Sequence, residues 1–384
     1  MPSHHREFPK KIKVLHVIST LDRGGIECWL MNLLRMNDPE IEFHFLVFGQ
    51  GTFDDEARKL GATLHRLTFR RPVVFRHKKE IEGILVTGGF DAVHYHLKDF
   101  SGTVLKLAKK YDVPVRIDHS HTTQRGAHGV RNSLKRLYRR HIDLPRVQRY
   151  ATNLLACSNE AGKFSYGESL WKTAAPSEMV YCGIPTVPFN QDVDKEKRKN
   201  LCRKYGIPDD AVVIGTLGRL FYPKNHDFLL RVFSELAKRD KRYVLFVGGE
   251  GTLRQKLESR VSELLLTSRA FFPGACSDGP DLMCHLFDVF CLPSLYEGLP
   301  VVLMESVAAG LHAVCSDVIT RDILDVTPEC FTRLSLSAPL SDWCDALESA
   351  IVHKRSPSEG VRRLEHTPFT IENSMRTLKK IYRG

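Results

Sequence analysis

Two glutamates flank a Gly-Leu-Pro step in the run SLYEGLPVVLMESVAA, and Glu297 and Glu305 stand eight positions apart. A proline suits the first turn of a helix, where its missing N–H would be unpaired anyway, so Pro300 predicts a helix that starts near Leu299. The free N–H groups of a helix start bind anions such as phosphate. The flanking carboxylates can accept hydrogen bonds from the hydroxyls of a sugar and a ribose. The pattern therefore predicts a nucleotide-sugar site.

The same run is also typical of an ordinary core helix. Its apolar residues at helical spacing are Val301, Val302, Met304 and Val307. Spacing alone leaves packing and binding as equal alternatives. An upstream segment favours binding, because the strand-like run AVVIGTLGRL reaches Arg219 and is soon followed by Lys224. Two cations just beyond a strand end suit a diphosphate, since arginine grips oxygens through its planar fork and lysine adds a point charge.

A further strand-like run, YVLFVGGEG, ends in glycines that allow close backbone approach. The order GRL..PKN, VGGEG, FPG and E-x7-E resembles the nucleotide-binding half of glycosyltransferase family 4. The amino-terminal half is similar to that family as well, with a strand KVLHVIS before Gly24, Gly25, Ile26 and Glu27, then HYH at 94–96 and DHSHTT at 118–123. The resemblance covers nearly the whole chain. It implies an α/β protein of the GT-B fold, with two Rossmann-like domains facing across a deep cleft.

The resemblance also implies roles for the matching positions. Arg219 and Lys224 would bind the donor pyrophosphate, Glu305 the ribose hydroxyls and Glu297 the transferred sugar. The remaining donor-binding positions would be Gly24 and Gly25 from the opposite domain and Gly298, Leu299, Pro300, Val301 and Val302 around the helix start.

The same family carries histidines that line the cleft, at the positions of HYH and DHSHTT. His119 or His121 would meet the donor sugar at the reaction centre. Both project to one face of a strand, so spacing does not choose between them. One departure lies between the domains, where Cys182, Gly183, Ile184 and Pro185 replace the family's Asn-Gly-Ile-Asp. Contacts made by those polar side chains are in doubt here.

Length and composition predict two globular domains. The chain has 384 residues, more than one core usually supports, with 42% hydrophobic and 26% charged residues. Strand-like and helix-like segments alternate, which is typical of parallel α/β units. The predicted strands are Lys13 to Ser19, Phe43 to Phe48, Ala92 to Tyr95, Val113 to Ile117, Asn153 to Ala156, Val212 to Leu217, Val244 to Val247, Val289 to Leu292 and Ala313 to Cys315. We predict an acceptor-binding domain over residues 1–184 and a nucleotide-sugar domain over 185–369, with a carboxyl-terminal helix at 370–384 crossing back onto the first. The stretch Pro185 to Asp194 is the predicted linker.

The ten cysteines form no C-x-x-C pair, and the sequence shows no amino-terminal signal. This composition predicts reduced thiols in the cytoplasm rather than disulfides or structural zinc. No run approaches the roughly 18 apolar residues that span a bilayer. We therefore expect a cytoplasmic protein that is soluble or peripheral on the inner face of the membrane.

The positive charge is concentrated in the first half of the chain. Residues 1–190 hold 29 of the 56 Lys and Arg but only 19 of the 45 Asp and Glu. An apolar helical stripe there is formed by Val130, Leu134, Leu137, Tyr138 and Ile142, and it is flanked by Arg131, Lys135, Arg136, Arg139 and Arg140. A basic amphipathic helix of this kind can lie on anionic lipid, although a solvated surface helix has the same pattern. Nucleic acid is disfavoured, because aromatic stacking residues do not interleave with the basic ones.

Two motifs raise the question of a metal. Asp192 and Asp194 match the DxD motif that binds a metal and a sugar nucleotide in another glycosyltransferase fold, but no strand precedes them to orient the two carboxylates. The pairs His94/His96 and His119/His121 have strand spacing that could hold zinc or iron. A hydrolase built on them would leave Arg219 and the glutamates without a purpose. Asp118 should not pair with His119, because adjacent strand residues face opposite ways. We expect no metal and no other cofactor.

These observations lead to a hexosyltransferase that moves a sugar from a nucleotide diphospho-sugar, most simply a UDP-sugar. The resemblance implies that it retains the configuration at the anomeric carbon and that its acceptor is a saccharide or lipid-linked saccharide in polysaccharide biosynthesis. Arg219, Lys224 and the helix start would stabilise the departing diphosphate. The alternatives are a sugar-nucleotide epimerase of the same fold and a non-catalytic sugar-nucleotide-binding protein. A dinucleotide dehydrogenase is disfavoured, because neither glycine cluster completes G-x-G-x-x-G.

Overall fold

The apolar runs form two parallel sheets in a computed structural model, which describes residues 10–67, 74–123, 137–173 and 176–384. The chain divides into two units. Unit 1 runs to Cys182 and includes Ile371–Gly384, and unit 2 is Gly183–Thr370. The division falls close to the predicted boundary at 184, and the carboxyl-terminal segment belongs to unit 1.

Unit 1 is built on a sheet whose seven described strands are ordered β3-β2-β1-β4-β5-β6-β7. The strands are β1 Ile12–Ile18, β2 Ile41–Val47, β3 Thr63–Arg66, β4 Ala92–Tyr95, β5 Val115–Ser120, β6 Asn153–Ala156 and β7 Ser177–Met179. The helices are α1 Gly25–Arg35, α2 Asp54–Lys59, α3 Val74–Gly88, α4 Ser101–Lys110, α5 Leu144–Tyr150, α6 Asn159–Tyr166 and α7 Glu168–Thr173, with a π-helical turn at Arg139–Asp143. Parallel pairing buries both faces of such a sheet, which explains the continuous apolar strand sequences.

Unit 2 repeats this topology with six described strands in the order β10-β9-β8-β11-β12-β13. The strands are β8 Val212–Leu217, β9 Tyr243–Gly248, β10 Ala270–Gly274, β11 Val289–Leu292, β12 Ala313–Ser316 and β13 Phe331–Leu334. The helices are α8 Lys195–Tyr205, α9 His226–Leu236, α10 Arg254–Glu263, α11 Gly279–Asp281, α12 Val301–Ala308, α13 Arg321–Leu324, α14 Leu340–Ile351 and α15 Pro357–Glu365, and shorter turns lie at Val187–Phe189, Tyr222–Lys224, Leu282–Leu286 and Pro328–Cys330. Both sheets have the strand order of a Rossmann-like domain.

The last helix, α16 Ile371–Tyr382, is held within unit 1. Its Lys379 Nζ lies 3.0 Å from a carboxylate oxygen of Asp38 and 2.7 Å from one of Glu40. The buried Tyr382 reaches a histidine on β4. The helix therefore contributes to the interior of unit 1.

Candidate functional site

The loop that carries Arg219 is fixed by backbone contacts with the glycine loop after β9. The N–H of Leu220 donates to the carbonyl of Glu250 at 2.8 Å. Gly249 has φ +146°, and a Cβ there would overlap the Gly218 carbonyl oxygen. The glycines of VGGEG thus allow two strand-end loops to pack together. The Arg219 guanidinium is exposed and lies over the Phe221 ring at 5.1 Å, so it can reach a ligand.

Lys224 is placed by a short helical turn that is tied to the loop after β11. The N–H of Leu295 donates to the Pro223 carbonyl at 2.8 Å, and Asn225 Nδ2 donates to the Pro293 carbonyl at 3.1 Å. These two contacts bring Lys224 Nζ to 2.8 Å from Glu297 Oε1. A cation and a carboxylate that are far apart in sequence therefore meet at the carboxyl edge of the sheet.

Glu297 is held from two sides. In addition to Lys224, the Ser294 hydroxyl donates to Glu297 Oε1 at 2.7 Å. Both ion-pair partners are largely buried, with 21% of the lysine side chain and 13% of the glutamate side chain exposed. This arrangement fixes a carboxylate beside a cation just before α12.

The helix start differs from the prediction. Helix α12 begins at Val301, and Pro300 is its N-cap with ψ 88° rather than a residue of the first turn. A tight turn explains the shift, because the Val301 N–H donates to the Leu299 carbonyl at 3.0 Å. Within the described chain, the N–H groups of Leu299 and Val302 donate no hydrogen bond. These two N–H groups, not the full run from 299 to 302, are available to an anion.

Glu305 lies inside α12 on its partly exposed side. Burial raises the pKa of its carboxyl to about 7, and the Lys224 charge opposes that rise. Among the described residues, the Glu305 carboxylate makes no hydrogen bond, although its backbone carbonyl accepts from Ala309. Met304 and Val307 of the same helix are buried in the core, whereas Val301 and Val302 keep partial exposure. The helix therefore has both a packing face and a carboxylate with spare acceptor capacity.

In unit 1, Gly24 and Gly25 begin α1, with Gly24 as its N-cap. A Cβ on Gly24 would overlap the Glu27 carboxylate, whereas Gly25 has open space around it. The same helix carries Trp29, which is 1% exposed and packs edge-on against His119 at 5.7 Å. Helix α1 thus links the glycine loop to a group of histidines.

The histidines do not lie where they were expected. His94 and His96 are 0% and 4% exposed and so do not line a surface. His119 is also buried, whereas His121 keeps partial exposure and is the one that a ligand can reach. Strand alternation places these histidines on one face of the sheet, and α1 and α16 cover that face. His16 on β1 joins them and was missed, since only the strand order reveals that β1 lies beside β4.

Asp118 and His119 face opposite sides of β5, as predicted. Asp118 turns toward Arg139, with 3.4 Å between the guanidinium and the carboxylate, and Arg139 also pairs with Asp143 at 2.5 Å. The prediction that Arg139 lies on a lipid-facing surface is therefore wrong, because two buried carboxylates draw it inward. Arg140 is exposed. Arg131, Lys135 and Arg136 lie outside the described residues.

Two other features bear on metals and membranes. The Asp194 carboxylate accepts the N–H groups of Glu196 and Lys197 as the N-cap of α8, which gives the DxD motif a structural use. Two groups of histidines, His16 with His94 and His96 and His96 with His119 and His121, each bring ligand atoms within 4.8 Å of one another, and all but His121 are buried. Over the described ranges, no helix is long and apolar enough to cross a bilayer.

Comparison with known proteins identifies the family. The model of glycosyl transferases group 1 matches residues 197–322. The chain is 33% identical over 381 residues to the putative glycosyltransferase EpsF of Bacillus subtilis strain 168, which covers 96% of both chains. The protein belongs to the group 1 glycosyltransferases. It is also 24% identical to the capsular polysaccharide biosynthesis glycosyltransferase CapH of Staphylococcus aureus, over 97% of this chain and 98% of that protein.

Solved structures show the fold. Anabaena Alr3699/HepE in complex with UDP and glucose superimposes with a TM-score of 0.77, covering 97% of this chain and all of that chain at 13% identity. WaaG, a glycosyltransferase involved in lipopolysaccharide biosynthesis, gives 0.71 at 16% identity, over 97% of this chain and 100% of that one. With its two parallel-sheet Rossmann-like units, this glycosyltransferase has the GT-B fold.

Proposed function

We propose that this glycosyltransferase uses a UDP-sugar, retains the configuration at the anomeric carbon and requires no catalytic metal. The main support is a group of charged residues in unit 2 around the start of α12. Lys224 and Glu297 form an ion pair there, and the Glu305 carboxylate makes no hydrogen bond among the described residues. The HepE complexes with UDP and with UDP-glucose support a uridine donor. Retention follows from the resemblance to family 4.

The proposed mechanism is electrostatic. As the glycosidic bond breaks, the leaving diphosphate acquires charge, and cations aimed at that charge lower the barrier. Arg219 would grip phosphate oxygens, Lys224 would move between Glu297 and the diphosphate, and the N–H groups of Leu299 and Val302 would complete the cradle. These groups replace the charge that a metal ion supplies in other phosphate sites.

The hydroxyl contacts follow from the resemblance to family 4, and the Glu305 carboxylate has the acceptor capacity that its contact needs. Glu305 would accept from the ribose hydroxyls, and Glu297 from the transferred sugar. In unit 1, we propose that Gly24 and Gly25 approach the donor and that His121, rather than the buried His119, meets the sugar. The names of the relatives, which include capsular polysaccharide biosynthesis, support a saccharide or lipid-linked saccharide acceptor.

A membrane surface is proposed as a partner. On the described part of the basic segment, Leu137 and Ile142 are 54% and 42% exposed and Arg140 lies between them. Exposed apolar residues beside a cation suit the boundary of an anionic bilayer. This supports a peripheral association through unit 1.

A donor panel tests the proposed function. The protein is incubated with UDP-, GDP- and ADP-sugars, with and without a saccharide acceptor, and the products are followed by NMR. We expect slow UDP release without acceptor and transfer with retained anomeric configuration when it is present. A new free sugar or sugar nucleotide would indicate the epimerase, and binding without turnover would indicate the non-catalytic protein. An inverted product would contradict retention.

A further inference from the structure

Three histidines on neighbouring strands form a continuous row of hydrogen bonds, here called the first row. His16 Nδ1 lies 3.0 Å from His96 Nε2, and His96 Nδ1 lies 3.0 Å from His121 Nε2. His16 lies on β1, whereas His96 and His121 directly follow β4 and β5, and β1, β4 and β5 are adjacent in the sheet. The row runs from the fully buried His16 to the partly exposed His121.

A second row lies beside it. The Tyr382 hydroxyl is 2.7 Å from His94 Nδ1, and His94 Nε2 is 3.0 Å from His119 Nδ1. The Tyr382 hydroxyl can donate to His94 Nδ1 or accept from it, so this contact fits either proton pattern. His119 Nε2 is buried and has no hydrogen-bond partner in the described chain. A proton there would be a buried N–H without an acceptor, so His94 and His119 carry their protons on Nδ1, with His119 donating to His94 and His94 donating to Tyr382.

The first row has two possible proton patterns. Burial lowers the pKa of His16 and of His121 to about 3, so the rings are neutral near pH 7 and each carries one proton. His16 Nε2 is buried and has no hydrogen-bond partner in the described chain. With protons on Nε2, that buried N–H would have no acceptor. With protons on Nδ1, all three N–H groups point along the row and only a lone pair is unused, which is the less costly defect.

The far end of the first row is suited to a ligand. His121 Nδ1 lies 3.6 Å from the sulfur of Cys182, which is a weak acceptor. An oxygen atom is a better acceptor and can replace the sulfur at this N–H. Hydrogen bonds in a chain polarise one another, so the two bonds behind His121 strengthen it as a donor.

We propose that His16 and His96 are positioning residues that hold His121 as an Nδ1–H donor aimed at an oxygen of the sugar substrate. The proposal rests on the proposed function for the identity of the substrate. The tautomers themselves are a property of the free protein. All five rings therefore carry the proton on Nδ1: His16, His96 and His121 in the first row, and His94 and His119 in the second.

The test reads these tautomers directly. The full-length protein is labelled with ¹³C and ¹⁵N in histidine, and the protonated nitrogen of each ring is identified by NMR in chelator-treated protein near pH 7. We expect the proton on Nδ1 in all five rings. His16→Phe keeps an aromatic ring against Phe43, which stacks on His16 at 5.4 Å, but removes the first donor. In this variant, His121 should become a mixture of tautomers, and turnover should fall about tenfold while UDP affinity is unchanged.

Tyr382→Phe is the matched control, because it removes the hydroxyl at the end of the second row that accepts from His94. It should alter His94 and His119 and leave His121 as the Nδ1–H form. If His16→Phe does not fold, His96→Gln interrupts the same row and should have the same effect on His121.

Three results would overturn the proposal. One is a His121 that carries its proton on Nε2 in the parent, and another is a His121 unchanged in both first-row variants. The third is a stoichiometric metal ion in the untreated protein, held by the same histidine groups, because a bound ion needs the lone pairs that the row uses. A parent protein that is inactive with every donor would overturn the contact between His121 and the sugar. The measured tautomers would still show whether the first row orients His121, so the two failures can be told apart.

Discussion

Lys224 Nζ lies 2.8 Å from Glu297 Oε1, so the lysine proposed to bind the diphosphate already has a carboxylate partner. Arg219 differs, because its guanidinium is exposed and stacks on Phe221. The two cations should therefore contribute equally to turnover but unequally to stability.

We predict that Arg219→Ala and Lys224→Ala each lower kcat by at least about tenfold, since each removes a charge that matters most as the diphosphate departs. Arg219→Ala should leave the melting temperature near that of the parent. Lys224→Ala should lower the free energy of unfolding by about 1–3 kcal/mol, because Glu297 is left partly buried without its cation. Steady-state kinetics and denaturant unfolding check both statements.

Lys238→Ala is the control for charge removal in unit 2. Lys238 is 67% exposed and pairs with Glu235 on the surface. Lys238→Ala should leave kcat unchanged and should change the free energy of unfolding by no more than about 0.5 kcal/mol. Near-normal turnover in both Arg219→Ala and Lys224→Ala would refute the pyrophosphate assignment.

The raised pKa of Glu305 predicts that donor binding depends on pH. With a pKa of about 7, the carboxylate that accepts ribose hydroxyls is a minor form at pH 6 and the major form at pH 8. Affinity for UDP-glucose should rise up to about tenfold over that range. UDP-glucose is the right probe because it lacks a terminal phosphate that titrates there. Calorimetry should show weaker and pH-independent binding for Glu305→Gln.

The same shift predicts a stability effect of defined sign. Folding raises the pKa of Glu305 from 4.5 to about 7, so the favourable contribution of the protonated carboxyl is complete below pH 4.5 and is lost as pH rises through 7. Glu305→Gln cannot ionise. It should melt above the parent at pH 8, and the difference should disappear near pH 5. A constant difference across that range would show that Glu305 does not titrate with a raised pKa.

Much of the fold could be predicted from apolar runs. Ala92–Tyr95 and Asn153–Ala156 coincide with predicted strands, because short buried runs between turn residues leave little choice. The unpredicted β3, Thr63–Arg66, is an edge strand with exposed ends and no apolar alternation. Unpredicted edge strands also include β7, β10 and β13. An edge position removes the burial that makes a strand recognisable.

The site was harder to predict wherever it depends on tertiary contacts. The Lys224–Glu297 pair joins residues 73 positions apart, and no local pattern reports it. His16 looked like one polar residue in an apolar strand until the strand order placed it beside β4. Arg139 fitted the basic face of an ideal helix, but a π-helical turn and the carboxylate of Asp118 turn it inward. Sequence spacing describes one element, whereas these contacts join several.

We also predict that the reaction is independent of metal. Transfer should persist in excess chelator, because Arg219, Lys224 and the α12 start supply the positive charge. Asp194→Ala should lower the free energy of unfolding by about 0.5–2 kcal/mol through the lost N-cap of α8, without changing kcat. Loss of activity in chelator with rescue by manganese or magnesium, together with loss of activity in Asp194→Ala, would restore a metal role to Asp192 and Asp194.

A test of membrane binding must treat Arg139 differently from the other basic residues of the segment. Arg139 holds Asp118 and Asp143, which are 3% and 0% exposed. Arg139→Gln should therefore destabilise unit 1, because it leaves two buried carboxylates without their cation. A lipid-binding variant must keep this residue.

The informative variant changes Arg131, Lys135, Arg136 and Arg140 to Gln. If these residues attract an anionic surface, the attraction should weaken as salt shortens the screening length from about 10 Å at 0.1 M to about 3 Å at 1 M. Vesicles with anionic lipid should sediment the parent at low salt, neutral vesicles should not, and the four-Gln variant should stay in solution while UDP-sugar hydrolysis continues. A variant that sediments like the parent, or a parent that ignores anionic vesicles, would mean that the segment is a solvated surface.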